Sequence, residues 1–480
     1  MHWLGQYIGF GWLWWSVATV YALTILGIIA VVVSENRNPV KSLAWVTVLL
    51  VVPMVGLILY IFFGRNIQNK RIISRRNRRI LRRLTNCSGA SARQGKPPEH
   101  IRNRINLASS LCGSNYYEGN KVDIFDNGAD KIEALLADIR NARRYINLQY
   151  YILIDDKVGR RVIEALEERA RAGVKVRVIY DHVGSFRLSR KALKGMRRAG
   201  VEAFPFFKVV FPPFGTRINW RNHRKIVIID GRIGYIGGMN IADRYIDGGK
   251  MFAMWRDLHL RIQGPAVAAL QQSFAVDWNF MGQPLLQETD FAAPSADVPV
   301  GLQLVTGGPT TQWMNMTLVF QQVISEARKC VYILTPYFIP TEGLVQALQL
   351  AALSKVDVRL IVPQRSDSDM LRWASNSYIM DCLRAGIKVY FYQKGMLHSK
   401  AIIVDDDFCT VGSTNFDFRS FEHNFEANML IYSPEFNARL KAMFFRDMRD
   451  SRRVTSAEWR SRPLPRRMLE SFMRLFSPIL

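Results

Sequence analysis

Two stretches of this 480-residue chain repeat one pattern of reactive side chains. The first runs His223-Arg224-Lys225-Ile226-Val227-Ile228-Ile229-Asp230 and reaches Gly237-Gly238-Met239-Asn240. The second runs His398-Ser399-Lys400-Ala401-Ile402-Ile403-Val404-Asp405 and reaches Gly412-Ser413-Thr414-Asn415. Both read H-x-K-x4-D-x6-G-[GS]-x-N, and in both the asparagine lies 17 residues after the histidine. Duplication at one internal spacing predicts two half-sites that build a single active site. The residue types suit a phosphodiester. Its exchange needs a nucleophile, an acid for the departing alkoxide, and cations or donors for charge on the phosphoryl oxygens. The two histidines fill the first two roles. Lys225, Lys400, Asn240, Asn415 and Ser413 supply the third.

The elements around the motifs must aim these groups. In a strand, residues i and i+2 share a face, so each histidine projects with its lysine. The apolar runs Ile226 to Ile229 and Ala401 to Val404 read as buried strands, and the glycine-rich turns bring the asparagines back beside them. The repeat also extends upstream. Val174-Lys175-Val176-Arg177-Val178-Ile179 matches Val356-Asp357-Val358-Arg359-Leu360-Ile361, and Arg198-Ala199-Gly200-Val201 matches Arg384-Ala385-Gly386-Ile387. Helical stretches such as Gly159 to Ala172, with Val162, Leu166 and Ala170 on one stripe, alternate with short apolar strands. That alternation predicts an α/β fold.

The double motif resembles that of the phospholipase D superfamily at every position named above. The resemblance implies two α/β halves related by a pseudo-twofold axis within one chain, a phosphohistidine intermediate, and no metal or other cofactor. It also implies an acidic residue beyond each motif that orients a histidine. Asp257, in Trp255-Arg256-Asp257, and Glu426, in Asn424-Phe425-Glu426, fit that role. Asp257 lies 34 residues after His223 and Glu426 lies 28 after His398, and the Gly248-Gly249 loop accommodates the difference. Asp230 and Asp405 are expected to brace the motifs rather than touch phosphate.

Composition adds a membrane. Phe10 to Ser34 and Ser42 to Gly64 carry no charged residue and are each long enough to span a bilayer. Nine arginines and lysines between Arg65 and Arg83, with no acid, place that side in the cytoplasm. The net charge of +25 calls for an anionic partner, and its concentration beside a span favours anionic lipid over nucleic acid. Five cysteines without a C-x-x-C pair indicate a reducing compartment and no structural zinc. Arg466, Arg467 and Arg474 with Met468, Leu469, Phe472, Met473 and Phe476 read as an interfacial helix. The expected organisation is a two-helix anchor (1–64), a basic juxtamembrane spacer (65–120), a first half (121–282), a linker (283–300), a second half (301–450) and a basic amphipathic tail (451–480).

Three functions share these residues: a phosphatidyltransferase, a phospholipase D-type hydrolase and a membrane-tethered nuclease. The motifs cannot separate the first two, which differ in whether an alcohol or water reaches the phosphohistidine. The wider sequence resembles the bacterial cardiolipin synthases. The resemblance rests on Asn38-Pro39, Pro53-Met54-Val55-Gly56-Leu57 and Phe63-Gly64, on Thr335-Pro336-Tyr337-Phe338-Ile339-Pro340, and on Gly412 through Ser420. It implies a multi-pass inner-membrane enzyme with a cytoplasmic catalytic domain, acting on phosphatidylglycerol, and it favours His223 as the nucleophile.

Overall fold

The computed structural model describes residues 4–34, 39–52, 98–208, 220–288 and 300–478, with single positions or pairs at 56, 60, 74, 76–77, 79–80 and 290–291. Most of the basic run, Pro53, Phe211 and Phe214 lie outside the described residues. The chain divides into two units: Met1–Ile67 with Val210–Asn219, and Gln68–Val209 with Trp220–Leu480.

In the smaller unit a 31-residue helix, Leu4–Ser34, contains no acidic or basic residue. It meets a second helix, Pro39–Val51, through Ile25 and Leu49, and Tyr60 joins the same cluster. Its other side exposes Trp14, Trp15, Val17, Val20, Leu23 and Leu26. Counting only residues whose side chains are described, no helix is long and apolar enough to cross a membrane. In the first helix those residues are Trp12 and 14–30.

The larger unit is built on a 16-stranded sheet. Its first half supplies β1 (Tyr116–Phe125), β2 (Tyr145–Tyr150), β3 (Lys175–Tyr180), β4 (Glu202–Pro205), β5 (Arg221–Asn222), β6 (Ile226–Ile229), β7 (Ile233–Gly237), β8 (Trp255–Arg256) and β9 (His259–Gln263). The second half supplies β10 (Val300–Gly307), β11 (Cys330–Leu334), β12 (Phe338–Ile339), β13 (Asp357–Pro363), β14 (Lys388–Tyr392), β15 (Met396–Leu397), β16 (Ala401–Val404), β17 (Phe408–Gly412), β18 (Phe416–Asp417), β19 (Asn424–Tyr432) and β20 (Ser451–Arg453). The main sheet runs β20-β14-β13-β11-β16-β17-β19-β10-β1-β9-β7-β6-β2-β3-β4. Read outward from the antiparallel β1–β10 pair, the two directions match strand for strand as far as β4 and β14. The sequence repeat therefore folds as two halves about a pseudo-twofold axis.

Each half has its own core. The apolar faces of β2, β3 and β6 pack with Val162 and Leu166 of the helix Lys157–Arg171, which Asp156 caps by accepting the Gly159 N–H. Val331, Ile333, Val358, Leu360, Ile402 and Val404 form the equivalent layer in the second half. Ile105 and Ala108, from the helix Arg102–Cys112, belong to this second core although they precede the first half in sequence. Phe204 packs edge-on against Trp278, and Phe206 and Phe207 cluster with Phe280 and Phe425.

Candidate active site

The short strands decide which residues meet. β5 lies parallel to β19 with Asn222 opposite Phe425, and the His223 N–H donates to the Phe425 carbonyl at 2.9 Å. β15 lies parallel to β8 with Leu397 opposite Arg256, and the His398 N–H donates to the Arg256 carbonyl at 2.7 Å. Each histidine strand thus docks on the acidic strand of the other half. His223 Nδ1 lies 2.9 and 3.0 Å from the two carboxylate oxygens of Glu426. His398 Nδ1 lies 2.6 Å from Asp257 Oδ2. The acids expected to orient the histidines are present, but they are exchanged between halves. With Nδ1–H donated to a carboxylate, the neutral ring leaves Nε2 unprotonated and able to attack phosphorus or carry a proton.

The lysines fold back onto their own histidines. Lys225 Nζ donates to the His223 carbonyl at 2.6 Å. Lys400 Nζ donates to the His398 carbonyl and lies 2.6 Å from His398 Nδ1 and 3.6 Å from Asp257 Oδ2. Both ammonium groups are buried. Burial lowers the pKa of Lys225 to about 7, against the pull of Glu426, and lowers that of Lys400. Burial likewise lowers both histidines, His398 to about 4, with the adjacent lysines adding to the effect and the carboxylates opposing it. For Asp257, burial acts to raise the pKa, but Lys400, His398 and the Leu258 N–H outweigh it and hold the group ionised. His223, Lys225 and the Ser413 hydroxyl do the same for Glu426. Lys400 also acts on His223 and Lys225, so the half-sites share one electrostatic field. An arriving phosphate would favour the charged form of both lysines.

The remaining expected residues fall into different places. Ser413 is not a free phosphate donor: its hydroxyl donates to Glu426 and accepts from the Ala427 N–H at 3.0 Å. Asn240 is also turned away, with Oδ1 accepting the Ile152 N–H at 3.0 Å and Nδ2 donating to the Tyr245 hydroxyl at 2.5 Å. Asn415 hydrogen-bonds Asp417, and its Oδ1 is buried without a partner among the described residues. Asp230 and Asp405 sit at the far ends of β6 and β16, in left-handed conformations with φ of 53° and 49°. Their carboxylates accept backbone N–H bonds from Arg143, Arg144 and Tyr145, and from Arg328, Lys329 and Cys330, respectively. They tie each motif strand to the start of β2 or β11.

Other residues of the site have no motif. Tyr151 lies edge-on to His223 at 4.9 Å between ring centres, and Trp255 is tilted against His398 at 5.0 Å. Arg224 makes two 2.7 Å bonds to Asp277 and also reaches the Glu426 carbonyl, across the halves. Arg256 pairs with Asp447 at 3.0 and 2.9 Å, again across the halves. Lys131 is fully buried on the Tyr150 hydroxyl at 2.8 Å, with its pKa lowered by burial to about 7. His259 is fully buried, and neither ring nitrogen has a partner among the described residues. Only His259 had a signal, since it lies two residues after Asp257 on a strand. Among the described residues no group of three or more His, Cys, Asp or Glu could hold a metal ion.

The sheet, the crossed histidine–carboxylate pairs and the paired lysines define a two-half phospholipase D-like enzyme. The family model for the cardiolipin synthase, phospholipase D-like domain matches residues 135–278 and 320–448, and the phospholipase D-nuclease N-terminal model matches 22–65. The major cardiolipin synthase ClsA of Bacillus subtilis (strain 168) is 39% identical over 96% of this chain and 98% of its own. A cardiolipin synthase of Geobacillus kaustophilus (strain HTA426) is 36% identical over 100% of this chain and 95% of its own. Phosphatidylserine synthase of Haemophilus influenzae Rd KW20 shares the fold, with a TM-score of 0.59 at 13% identity, over 79% of this chain and 100% of its own. The chain belongs to the cardiolipin synthase family of the phospholipase D superfamily. It is a phosphatidyltransferase.

Proposed function

We propose that this enzyme joins two phosphatidylglycerol molecules into cardiolipin and glycerol through a phosphohistidine. The observation that carries the mechanism is the crossed pair of histidines, each with Nδ1 on a carboxylate and an ammonium group beside it. Nε2 of one histidine, His223 on the family resemblance, attacks phosphorus. The bond from phosphorus to the glycerol oxygen breaks, and Nε2–H of the other histidine protonates the departing alkoxide. That histidine then takes the proton from the free glycerol hydroxyl of a second phosphatidylglycerol. The hydroxyl oxygen attacks phosphorus and the P–N bond breaks. Lys225, Lys400 and Asn415 face the phosphoryl charge, and Asp257 and Glu426 steady the imidazolium states. One phosphodiester replaces another, so no energy source is consumed.

The helices Leu4–Ser34 and Pro39–Val51 are proposed to anchor the enzyme in the inner membrane, with residues 65–120, the two halves 121–282 and 301–450 with their 283–300 linker, and the 451–480 tail on the cytoplasmic side. Supporting this are the exposed apolar face of the first helix and three helical threonines. Thr19, Thr24 and Thr47 each bond the carbonyl four residues earlier, which satisfies their hydroxyls without water. The test is to incubate purified full-length protein with labelled phosphatidylglycerol in detergent micelles, with and without chelator, and to resolve the products. Cardiolipin and glycerol in equal amounts are expected in both. Phosphatidic acid as sole lipid product would assign a hydrolase, cleavage of single-stranded DNA without lipid turnover a nuclease, and a requirement for one metal would overturn the roles of the lysines.

A further inference from the structure

A second basic cavity lies at the outer edge of the second half, away from the histidines. It has a volume of about 170 Å³ and is lined by Arg365, Arg372, Asn376, Arg452, Trp459 and Arg466 among others. The arginines converge from four elements: the turn after β13, the helix Asp369–Arg384, β20, and the helix Leu464–Arg474. Two donors at this cavity are left over. Arg372 Nε and Trp459 Nε1 are buried without a hydrogen-bond partner among the described residues, and Trp459 is only 5% exposed. The nearby acids do not cancel the charge. Glu470 is taken up by Arg462 at 2.9 and 2.8 Å and by Asn376 at 3.1 Å, and it meets the half-exposed Arg466 only at 3.4 Å. Asp369 and Glu458 hold Arg372 and Arg452 through exposed ion pairs of small energetic weight. Buried donors without acceptors, within a cluster of guanidinium groups, fit a phosphate, whose oxygens accept such forks.

The helix Leu464–Arg474 adds an apolar ridge. It is held down by Met473 and Glu470, by Arg474 on Asp381 at 2.8 Å, and by Tyr378 on Ser477 just beyond its end. Yet Leu464, Met468, Phe472 and Leu475 remain more than half exposed. Their spacing puts them along one side of the helix. The helix is therefore docked on the protein and apolar towards the outside at once. We infer that the cavity is a second phosphate site, which holds the headgroup of an anionic phospholipid while its acyl chains lie along this ridge. The inference takes from the proposed function only that the enzyme meets such lipids.

The probe is a phosphatidylglycerol carrying a photoactivatable group on its acyl chain, mixed with the full-length protein in detergent micelles and mapped by peptide mass spectrometry. The expected result is labelling of the helix Leu464–Arg474 as well as of the catalytic strands. In R372Q/R452Q the helix label should fall at least about tenfold, as expected when charge-assisted hydrogen bonds are lost, while turnover of labelled phosphatidylglycerol stays that of the parent. M468S/F472S should lose the same label. Equal labelling of the helix by a phosphatidylcholine analogue, or an undiminished label in R372Q/R452Q, would overturn the inference. So would displacement of the label by inorganic phosphate together with indifference to M468S/F472S, which would assign the cavity to free phosphate. Turnover in the same samples separates these outcomes from a failure of the catalytic reading.

Discussion

At the residue scale, the catalytic groups are tuned by burial against charge. If the histidines act in sequence on one phosphorus, they form a single unit. His223→Ala or His398→Ala is then expected to lower turnover by about 10² to 10⁴, and the double variant should be little worse than either. A single variant with near-parental rates would break the shared site. The pH profile follows from the same shifts. The attacking histidine must start unprotonated and the other protonated, and burial lowers both, so the acid limb of kcat/KM should lie below the ordinary histidine value and loss of the second histidine's proton should begin the decline towards alkaline pH. On the alkaline side, free Lys225 loses its proton from about pH 7, so kcat/KM should decline there. Bound phosphate favours the charged lysine, so the alkaline limb of kcat should lie higher. Initial rates across pH in micelles would show both limbs. Gly238, which stands where the second motif has Ser413, has a local reason. A Cβ there would lie 2.1 Å from Asp257 Oδ1, whereas Ser413 is the donor to Glu426. Gly238→Ser should displace the carboxylate behind His398 and lower kcat about 10²-fold, with KM nearly unchanged.

At the element scale, the active site is a set of strand exchanges. β5 on β19 and β15 on β8 carry the histidines onto the opposite halves, and the buried Arg256–Asp447 ion pair and the bond from Arg224, itself paired with Asp277, to the Glu426 carbonyl cross between the halves. Asp277 and Asp447 occupy equivalent helices, Val267–Phe280 and Pro434–Arg449, but their arginines come from different positions. Arg224 rises from the motif strand and lies over the Phe425 ring, whereas Arg256 rises from the acidic strand with Ser399 beside its carbonyl. Each locus keeps one guanidinium and lets the facing residue shrink or become apolar. Breaking a buried pair by deleting one partner leaves an uncompensated charge. Asp447→Ala is therefore expected to destabilise the protein by about 3–5 kcal/mol, read as a fall in the thermal midpoint. A surface change such as Glu133→Ala, which frees only the exposed Arg161, should leave the midpoint where it was.

At the scale of the molecule, one contiguous sheet with a pseudo-twofold axis between β1 and β10 lets duplicated half-sites converge, and the N-terminal helices supply the proposed anchor. A reporter fused after Gly64 should report the cytoplasm, because the basic run beginning at Arg65 is retained on that side. Periplasmic activity at that fusion point would reverse the proposed orientation.

Much of this was legible in the chain alone, for a local reason. The duplicated motif marks His223 with Lys225 and His398 with Lys400, although each triplet links two strands (β5 to β6, β15 to β16) instead of lying within one as expected, and the repeat of Val174–Ile179 as Val356–Ile361 announces two similar α/β halves. The uncharged runs before Arg65 are long enough to suggest a bilayer without reference to any fold. What the sequence could not state depends on contacts between distant segments. Which acid serves which histidine is set by β5 meeting β19 and β15 meeting β8, with His223 and Glu426 separated by 203 residues and His398 and Asp257 by 141. Ser413 and Asn240 have side chains suited to phosphate, and only packing shows their hydrogen bonds already spent on Glu426, Ile152 and Tyr245. Arg224, Arg256, Asp277 and Asp447 read as ordinary charges until the halves close and remove water from them. Residue types and periodicity are properties of neighbours along the chain. Burial, pairing and pKa are properties of neighbours in space, and only the tertiary structure brings those together.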